Sequence, residues 1–302
     1  MSFALLFSGQ GHQHAAMLPW IADDAIVRDM CTRLDVDDWR RALADPGWAE
    51  RNENAQTLLT GLALAAWHQL AQRVAAPIAV AGYSVGELAA FSAAGVIGAA
   101  STIELAGQRA QAMDACAART PGGLLAVTGL AAARLADLLS ATGLALAIRN
   151  GEDSVVIGGP AASLLQAERM ASLAGAKCTR LRVNVASHTP WMREAAESFA
   201  RTLADAPFHA PRVALFSNAA DRIRDAASAR AALAAQIAST VRWDDCMENV
   251  MARQPRCVLE IGPGQALARM WNQRFSDIPA RACDDFRSAA AITSWLNSHA
   301  GE

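Results

Sequence analysis

The sequence predicts an α/β fold with a mostly parallel sheet and a smaller unit inserted into it. Short, wholly apolar runs at residues 3–7, 78–81 and 257–261 each stop at a glycine turn, and helix-like segments follow them. Such runs are typical of parallel strands that are buried on both faces. Strand, glycine turn and helix in succession indicate βα units. Between residues 120 and 187 the pattern changes, which indicates the inserted unit.

Composition supports a large folded core. Of the 302 residues, 53% are hydrophobic and 19% are charged, which excludes a disordered chain. Lys and Arg number 27 against 29 Asp and Glu, a formal charge of −2 that gives no support to nucleic-acid binding through general basicity. No apolar run approaches the roughly 18 residues of a membrane span, and the first run is too short for a secretory signal. We therefore expect a soluble, cytoplasmic protein with no membrane or nucleic-acid partner.

The cysteines predict neither a disulfide framework nor a metal site. Six of them are scattered along the chain without a CxxC pair, a distribution that indicates reduced and mostly buried thiols. They are Cys31, Cys116, Cys178, Cys246, Cys257 and Cys283.

The first part of the chain supplies two strands and several helices of the core. Residues 21–52 are polar and predicted to be helical in part, and the apolar segment 58–70 predicts a helix. After the strand at 78–81, a helix-rich stretch covers residues 85–118, and Gly95 and Gly98 indicate a break inside it.

The inserted unit shows the order β-α-β-β-α-β of a ferredoxin-like domain. The predicted strands are 124–128, 144–149, 154–157 and 178–185, and the predicted helices are 131–141 and 161–174. Asn150-Gly151-Glu152-Asp153 joins the two middle strands and is a strong hairpin signal, because Asn-Gly tolerates positive φ. We expect residues 121–187 to form this subdomain within a core of residues 1–120 and 188–302.

The last part of the chain returns to the core pattern. A helix is predicted over 188–204, a strand over 213–217 and a helix over 226–239. The strand at 257–261 then ends in Gly262-Pro263-Gly264, which we interpret as a structural turn before another helix.

The sharpest chemical signal is Gly82-Tyr83-Ser84-Val85-Gly86, a G-x-S-x-G pattern directly after a buried strand and before a helix. Glycines on both sides allow a sharp turn that lifts the serine hydroxyl above the sheet, as in hydrolase-like cores, and the Val85 N–H then points at an oxyanion. The alternative is a turn serine that merely caps a helix. The strand–turn–helix setting favours a nucleophile.

A serine nucleophile needs a base, and His188 is the best placed of the six histidines. It follows the last strand of the inserted unit and precedes a helix, so it can face a cleft between the two units. A single histidine is more often structural, and that alternative stays open at this point. The others lie in the first glycine loop (His12 and His14), in an apolar helix (His68), between two prolines (His209) and in the tail (His299).

Four motifs occur in order along the chain: Gly9-Gln10-Gly11 with Gln13 and Met17, Gly82-Tyr83-Ser84-Val85-Gly86-Glu87, Ser187-His188, and Glu260-Ile261-Gly262-Pro263-Gly264. Together they resemble the malonyl-CoA:acyl-carrier-protein transacylases, which are also the acyltransferase domains of fatty-acid and polyketide synthases. The resemblance extends over nearly the whole chain and includes the inserted ferredoxin-like unit. Four motifs in one order are far more specific than a single elbow.

The resemblance implies the roles of several residues. Ser84 would be the acylated nucleophile and His188 its general base. In this family a backbone carbonyl orients the histidine, and the matching position is Gln236, so no acid is needed for a triad. The N–H groups of Gln10 and Val85 would form the oxyanion hole.

The resemblance also implies that Arg109 binds the malonyl carboxylate. It matches the family's arginine on the helix after the elbow, and a planar guanidinium can hold a carboxylate through two charge-assisted hydrogen bonds. Acetyl groups should then be poor substrates. The alternative is a surface arginine on an amphipathic helix.

The sequence departs from the family pattern at two positions. His12 replaces a small residue in the first glycine loop, and Tyr83 replaces the histidine usual before the nucleophile. The change at Tyr83 can alter packing or water access around Ser84 but removes no group that the implied mechanism requires.

The implied activity is two-step transfer of a malonyl group from malonyl-CoA to the phosphopantetheine thiol of an acyl carrier protein, with no metal or other cofactor. A local arginine-rich patch beside the cleft should receive the acidic carrier. Three pathways are open: fatty-acid synthesis, trans-acting polyketide synthesis, and recharging of the carrier of malonate decarboxylase, which the departures near the elbow favour. The rivals from other classes are an α/β-hydrolase-type esterase and a non-catalytic acyl-CoA sensor.

Overall fold

The computed structural model describes residues 2–11 and 13–301. The strands of these residues are, in chain order, β1 (Phe3–Phe7), β2 (Ala79–Gly82), β3 (Gly122–Thr128), β4 (Ala145–Arg149), β5 (Ser154–Pro160), β6 (Lys177–Arg180), β7 (Ala214–Phe216), β8 (Arg222–Ile223), β9 (Val241–Arg242), β10 (Cys257–Ile261) and β11 (Ala280–Ala282). The helices are α1 (Ala25–Arg33), α2 (Trp39–Ala42), α3 (Pro46–Ala49), α4 (Asn52–Ala71), α5 (Gly86–Ala93), α6 (Ala99–Ala117), α7 (Ala132–Thr142), α8 (Ala161–Leu173), α9 (Arg193–Asp205), α10 (Ala226–Ala235), α11 (Trp243–Met251), α12 (Ala266–Arg274) and α13 (Ala289–Ala300). The architecture is mixed α/β, as the sequence predicts.

The larger sheet has six strands in the order β11-β10-β1-β2-β7-β8. Its pairs are parallel except for the antiparallel pair β7–β8. Every residue of the central β1 is buried, and alternate side chains enter different apolar clusters on the two faces of the sheet. This two-sided burial is why the strands contain apolar residues without alternation.

The helices of the core differ from the sequence prediction at their ends. The long α4 begins at Asn52, because polar side chains in its first turns are buried against α6 and are not solvated. The break predicted inside 85–118 is present, and Gly95 adopts a φ of +82° there. The helix expected over 226–239 ends at Ala235, since the carbonyls of Gln236 and Ile237 accept hydrogen bonds from His188.

The predicted helix over 188–204 starts late. His188 has a φ of +63° and Thr189 is extended, so a short 3₁₀ turn at Pro190–Met192 precedes α9. The proline accounts for this, because the residue before a proline is disfavoured in the helical region. The result leaves His188 outside any helix, at the junction between the two sheets.

The smaller sheet has the strand order β6-β3-β5-β4-β9. The first four strands are antiparallel to their neighbours and connect through α7, a hairpin turn at 150–153 and α8. β6 ends at Arg180, short of the predicted residue 185, because the chain leaves the sheet there to line a cleft. β9 comes from the core and pairs in parallel with β4, a pairing that the sequence pattern did not predict.

The smaller sheet has an apolar cluster of its own, which packs α7 and α8 onto its outer face. All six cysteines are free thiols. Within residues 2–11 and 13–301, no cluster of three His, Cys, Asp or Glu side chains is arranged to hold a metal ion. No helix in that part of the chain has the length and apolar character to cross a membrane.

Candidate active site

The loop between β2 and α5 is a sharp elbow that has Ser84 at its tip. Ser84 adopts a φ of +54°, which is uncommon for a residue with a side chain. A side chain at Gly82 would overlap the backbone of Gly86, and one at Gly86 would overlap the carbonyl oxygens of Phe7 and Ser8. The two glycines of the motif are therefore required by close backbone contacts.

The backbone of the elbow is held by Asn218, which follows β7. Its Oδ1 accepts a hydrogen bond from the Ser84 N–H at 2.8 Å, and its Nδ2 donates to the Gly82 carbonyl at 2.7 Å. Asn218 is fully buried. These bonds stabilise the unusual conformation of Ser84. The sequence reasoning missed Asn218, although a polar residue at the carboxyl end of a parallel strand is a detectable signal.

The structure places His188 against Ser84. The Ser84 Oγ and the His188 Nε2 are 2.7 Å apart, and the His188 Nδ1 is 2.7 Å from the backbone carbonyl of Gln236. Because a carbonyl only accepts, Nδ1 carries the proton, and Nε2 is left to accept the Ser84 hydroxyl. The backbone N–H of His188 donates to the Ile237 carbonyl at 2.8 Å, which holds its left-handed conformation.

The His188 imidazole is neutral near pH 7. Burial and, to a smaller extent, the charge of Arg109 lower its pKa to about 3, and the hydrogen bond to Gln236 opposes both. A neutral ring with an unprotonated Nε2 at hydrogen-bond distance from a hydroxyl can remove that proton. The arrangement can therefore activate Ser84 as a nucleophile.

Gln10 and Val85 are the residues whose backbone N–H groups the sequence analysis assigned to an oxyanion hole. Gln10 and Ser84 line the same cleft, and Gly9 packs so closely on the elbow that a side chain there would meet the Tyr83 carbonyl at 2.9 Å. Among the described residues, neither the Gln10 N–H nor the Val85 N–H donates to a protein acceptor. Both groups are thus available to a bound oxygen.

Arg109 is buried on α6 and makes two hydrogen bonds to neutral side chains. Its Nη1 donates to Gln56 Oε1 at 2.6 Å and its Nη2 to Gln236 Oε1 at 2.7 Å. No carboxylate of the described residues forms an ion pair with it, and burial lowers its pKa to about 10, an effect that Glu87 opposes. The surface alternative for Arg109 is wrong, since the residue is only 2% exposed.

The structure does not bring Arg109 to the lining of the cleft. Its guanidinium lies behind Gln236, which contacts both Arg109 and the backbone of Ser84. Sequence reasoning missed Gln56, although a glutamine in the apolar run of α4 was a usable signal.

Glu87 is a second buried ionisable residue. It belongs to the motif around Ser84, but the sequence analysis gave it no role. Its Oε1 accepts from the Asn218 N–H at 2.5 Å and its Oε2 from Gln236 Nε2 at 2.8 Å. Burial raises its pKa to about 7, and its hydrogen bonds and the charge of Arg109 limit the rise.

The cleft itself has a volume of about 360 Å³ and lies between the two sheets. Its core side is formed by Ser8–Gly11, Tyr83, Ser84, Ser187, His188, Ala266, Leu267 and Met270, and its other side by Leu124, Ala126, Ile148, Asn150, Val156 and Thr179–Val183. Arg180 and Arg182 stand at this lining, and Arg180 is paired with Glu168. The arginine-rich patch for a carrier stays a prediction.

Tyr83, one of the two departures from the family pattern, connects the two sides of the cleft. Its hydroxyl donates to Asn150 Oδ1 at 3.1 Å, and its ring packs edge-on against Trp243 with centroids 5.2 Å apart. The other departure, His12, lies outside the described residues.

The remaining histidines lie away from the elbow. His14 is paired with Asp284 at 3.5 Å, His68 contacts Gln72 on α4, and His209 and His299 are exposed. Within the described residues, His188 is the histidine that contacts Ser84.

Comparisons with known proteins agree with one another. The family model of the acyl transferase domain matches residues 4–301. The malonyl CoA-acyl carrier protein transacylase of Mycobacterium tuberculosis is 32% identical over 297 residues, which cover 92% of this chain and 95% of that protein.

Two solved structures illustrate the similarity of fold. The malonyl-CoA:acyl carrier protein transacylase of Xanthomonas oryzae is 29% identical with a TM-score of 0.89, covering 99% of this chain and 98% of its own. A malonyl-transacylase in complex with a type II polyketide synthase acyl-carrier protein is 27% identical with a TM-score of 0.89, covering 97% and 99%.

Proposed function

This chain belongs to the acyl transferase domain family, and we propose that it moves a malonyl group from malonyl-CoA to the phosphopantetheine thiol of an acyl carrier protein. The observation that carries the proposal is the connected set Ser84 Oγ, His188 Nε2, His188 Nδ1 and Gln236 carbonyl, with 2.7 Å at each contact. The names of the relatives support the malonyl group and the carrier protein as the substrates.

In the first step Ser84 attacks the thioester carbonyl of malonyl-CoA. His188 takes the hydroxyl proton as the Oγ–C bond forms, and then returns it to the CoA sulfur as the C–S bond breaks. The products are malonyl-Ser84 and free CoA. Because burial keeps the pKa of His188 well below 7, its Nε2 is unprotonated before the reaction and has a free lone pair for that proton.

The negative charge of the tetrahedral intermediate needs hydrogen-bond donors at the elbow. The N–H groups of Gln10 and Val85 are the proposed donors, and Val85 lies at the start of α5, where the helix dipole adds positive potential.

In the second step the carrier thiol attacks malonyl-Ser84. His188 takes the thiol proton and returns it to Ser84 Oγ as the ester bond breaks, which regenerates the enzyme. Both steps use side-chain acid–base chemistry, so the proposal includes no metal or other cofactor.

Arg109 is the proposed ligand of the malonyl carboxylate. A guanidinium has five N–H groups, and two of them are used by Gln56 and Gln236. Because Gln56 and Gln236 are neutral, they do not compensate the positive charge of Arg109, which can therefore bind an anion. Because the guanidinium lies behind Gln236, the carboxylate reaches it only when one of these two side chains rotates.

The domain organisation is also a proposal. We assign residues 121–187 to a ferredoxin-like subdomain inserted into a hydrolase-like core of 1–120 and 188–302. The antiparallel order β6-β3-β5-β4 and the separate apolar cluster of this segment support the assignment.

The carrier protein that receives the malonyl group defines the pathway. The departures at positions 12 and 83 favoured recharging of a malonate decarboxylase carrier, but the relatives reported above are not named for that process, and the fatty-acid alternative fits their names. A panel of purified carrier proteins decides between them: the carrier that accepts malonate with the highest kcat/KM identifies the pathway.

The test of the proposed function is incubation of the protein with malonyl-CoA, followed by mass spectrometry of the Ser84 peptide. We expect a malonyl ester on Ser84 and none in Ser84→Ala. Rapid release of free malonate without a thiol acceptor would instead support the esterase alternative. Absence of the ester would support the non-catalytic sensor.

A further inference from the structure

The carboxylate of Glu87 takes no part in the steps above, yet it lies among the groups that do. It is fully buried, and each of its oxygens accepts a hydrogen bond from a different loop of the core. Oε1 accepts from the backbone of Asn218, after β7, and Oε2 accepts from the side chain of Gln236, after α10. Glu87 thus joins these two loops beside the elbow.

The same two loops hold the backbone of the nucleophile. The Ser84 N–H donates to Asn218 Oδ1 at 2.8 Å, and the Ser84 carbonyl accepts from Gln236 Nε2 at 2.7 Å. Asn218 and Gln236 therefore hold the two ends of a residue in the left-handed region. Since Glu87 binds both of them, the four residues form a closed ring of hydrogen bonds.

The polarity of this ring determines how the Gln236 amide is turned. Its NH₂ group faces two acceptors, Glu87 Oε2 and the Ser84 carbonyl, and its oxygen faces Arg109 Nη2. A carboxylate can only accept, so the NH₂ group must face Glu87 and the amide oxygen is left for the guanidinium. One carboxylate thus orders both the elbow and the cation behind it.

We propose that Glu87 is a positioning residue that, through Asn218 and Gln236, holds the Ser84 backbone and orients the Arg109 guanidinium. The family resemblance gives a role only to the backbone carbonyl of Gln236, which orients His188. Here the side chain of Gln236 also holds the Ser84 backbone and orients Arg109. The malonyl readout of the inference rests on the proposed function, but the reactivity of Ser84 does not.

An isosteric change separates this role from simple space filling. In Glu87→Gln the shape is kept, but one of the two oxygens becomes an NH₂ group. Whichever way the new amide turns, that group faces either the Asn218 N–H or the NH₂ group of Gln236. One donor then faces another donor inside the core, and Gln236 can relieve this only by giving up Ser84 and Arg109.

Protonation of Glu87 should act in the same direction. Its pKa is raised by burial to about 7 and is opposed by the groups that face it: Arg109 on α6, Gln236 after α10, and Ser217 and Asn218 after β7. The thiol of Cys246 on α11 also lies near it, and burial keeps that thiol protonated. Below pH 7 Glu87 gains a proton and loses one acceptor position.

The experiment measures the rate at which a fluorophosphonate probe labels Ser84, together with kcat/KM for malonyl-CoA, from pH 5 to pH 9. For wild type we expect an acid limb near pH 7 in both. For Glu87→Gln we expect rates roughly ten- to one-hundredfold lower and without this limb. Glu260→Gln, a second buried carboxylate away from the ring, is the matched control and should keep the wild-type profile.

The outcomes are distinguishable. Wild-type rates and an unchanged limb in Glu87→Gln would overturn the inference, and so would a wild-type profile that is flat between pH 6 and pH 8, even if the variant does not fold. Labelling by the fluorophosphonate without any malonyl ester would refute the proposed function and still test Glu87.

Discussion

Two strand–turn–helix junctions at the same edge of the larger sheet have similar sequences but different chemistry. β2 enters α5 through Gly82–Gly86, and β10 enters α12 through Gly262–Gly264. The first junction lines the cleft, and so does the start of α12 after the second. Each junction contains glycine that close contacts require, and each has a buried glutamate beside it. Only the first has a hydroxyl at its tip with an imidazole against it.

The glutamates show the difference in another form. Glu87 has both oxygens hydrogen-bonded, whereas Glu260 has one oxygen bonded to the Ala268 N–H and the other buried without a partner in the described residues. Glu260 caps the start of α12. A glycine turn with a buried acid is therefore a structural unit, and it becomes a site only where other loops supply a nucleophile and a base.

The largest effect should follow removal of the base at the first junction. His188→Ala is expected to lower malonyl transfer by about 10³-fold or more, because within residues 2–11 and 13–301 no other side chain is hydrogen-bonded to the Ser84 hydroxyl. Steady-state transfer to a carrier protein measures this. Pro263→Ala, at the tip of the second junction, should lose less than tenfold, and equal losses would erase the distinction between the two turns.

Next in size is the effect of a side chain inside the elbow. In Gly86→Ala the new methyl group meets the backbone oxygens of Phe7 and Ser8, and we expect a loss of about 3 kcal/mol in the free energy of unfolding. Urea denaturation measures it. Gly98→Ala, where the space is open and φ is −70°, should change stability little; similar losses in both variants would contradict the contact argument.

The third prediction concerns the cation behind the elbow. Arg109→Ala should lower kcat/KM for malonyl-CoA about one hundredfold relative to acetyl-CoA. The variant removes the guanidinium proposed to bind a carboxylate, and only the malonyl group has one. Using the ratio of the two substrates cancels any general loss of folded protein. An unchanged ratio would refute the carboxylate role of Arg109.

The fourth prediction tests the acid of the second junction through pH. Burial raises the pKa of Glu260 to about 8, so folding favours its protonated form. The stability that this group contributes is present below its unfolded value near 4.5 and is lost as pH rises through about 8. Glu260→Gln lacks that loss, so its stability relative to wild type should rise between pH 6.5 and pH 9 by an amount on the order of 2 kcal/mol, which Tm measurements across this range detect. A stability difference between the variant and wild type that is the same at every pH would refute the raised pKa of Glu260.

The smallest effect belongs to the bond across the cleft. Tyr83→Phe removes the hydroxyl that donates to Asn150 and should cost about 1 kcal/mol of unfolding free energy. Chemical denaturation at pH 7 measures it. Asn150→Ala should cost a similar amount and the double variant little more, whereas additive losses would show that the two side chains act independently.

Much of the fold could be predicted because its strands are apolar runs that glycines terminate. β1 and β10 begin and end where the sequence pattern placed them. β9 could not be predicted, since two residues that pair with a strand about ninety positions earlier have no local signal. Likewise, the 3₁₀ turn before α9 depends on Pro190 and on where His188 must lie.

The residues of the active site likewise fall into those with a local sequence signal and those without one. Ser84 has a local motif, so the elbow could be predicted from its own residues. Glu87 stands inside that motif, but its role depends on Asn218 and Gln236, which reach it from loops more than 100 residues away. The proposed function of single residues was thus open to sequence reasoning, and the hydrogen-bond ring that connects them was not.

The hydrogen bonds of His188 bear on how a bulky partner enters the cleft between the two sheets. The chain reaches this residue directly from the smaller sheet, yet its backbone N–H and its Nδ1 are both bonded to the core, at Ile237 and Gln236. If the smaller sheet tilts outward to admit a carrier arm, the imidazole stays behind with the serine. The position of the general base relative to Ser84 is therefore set by its hydrogen bonds to the core.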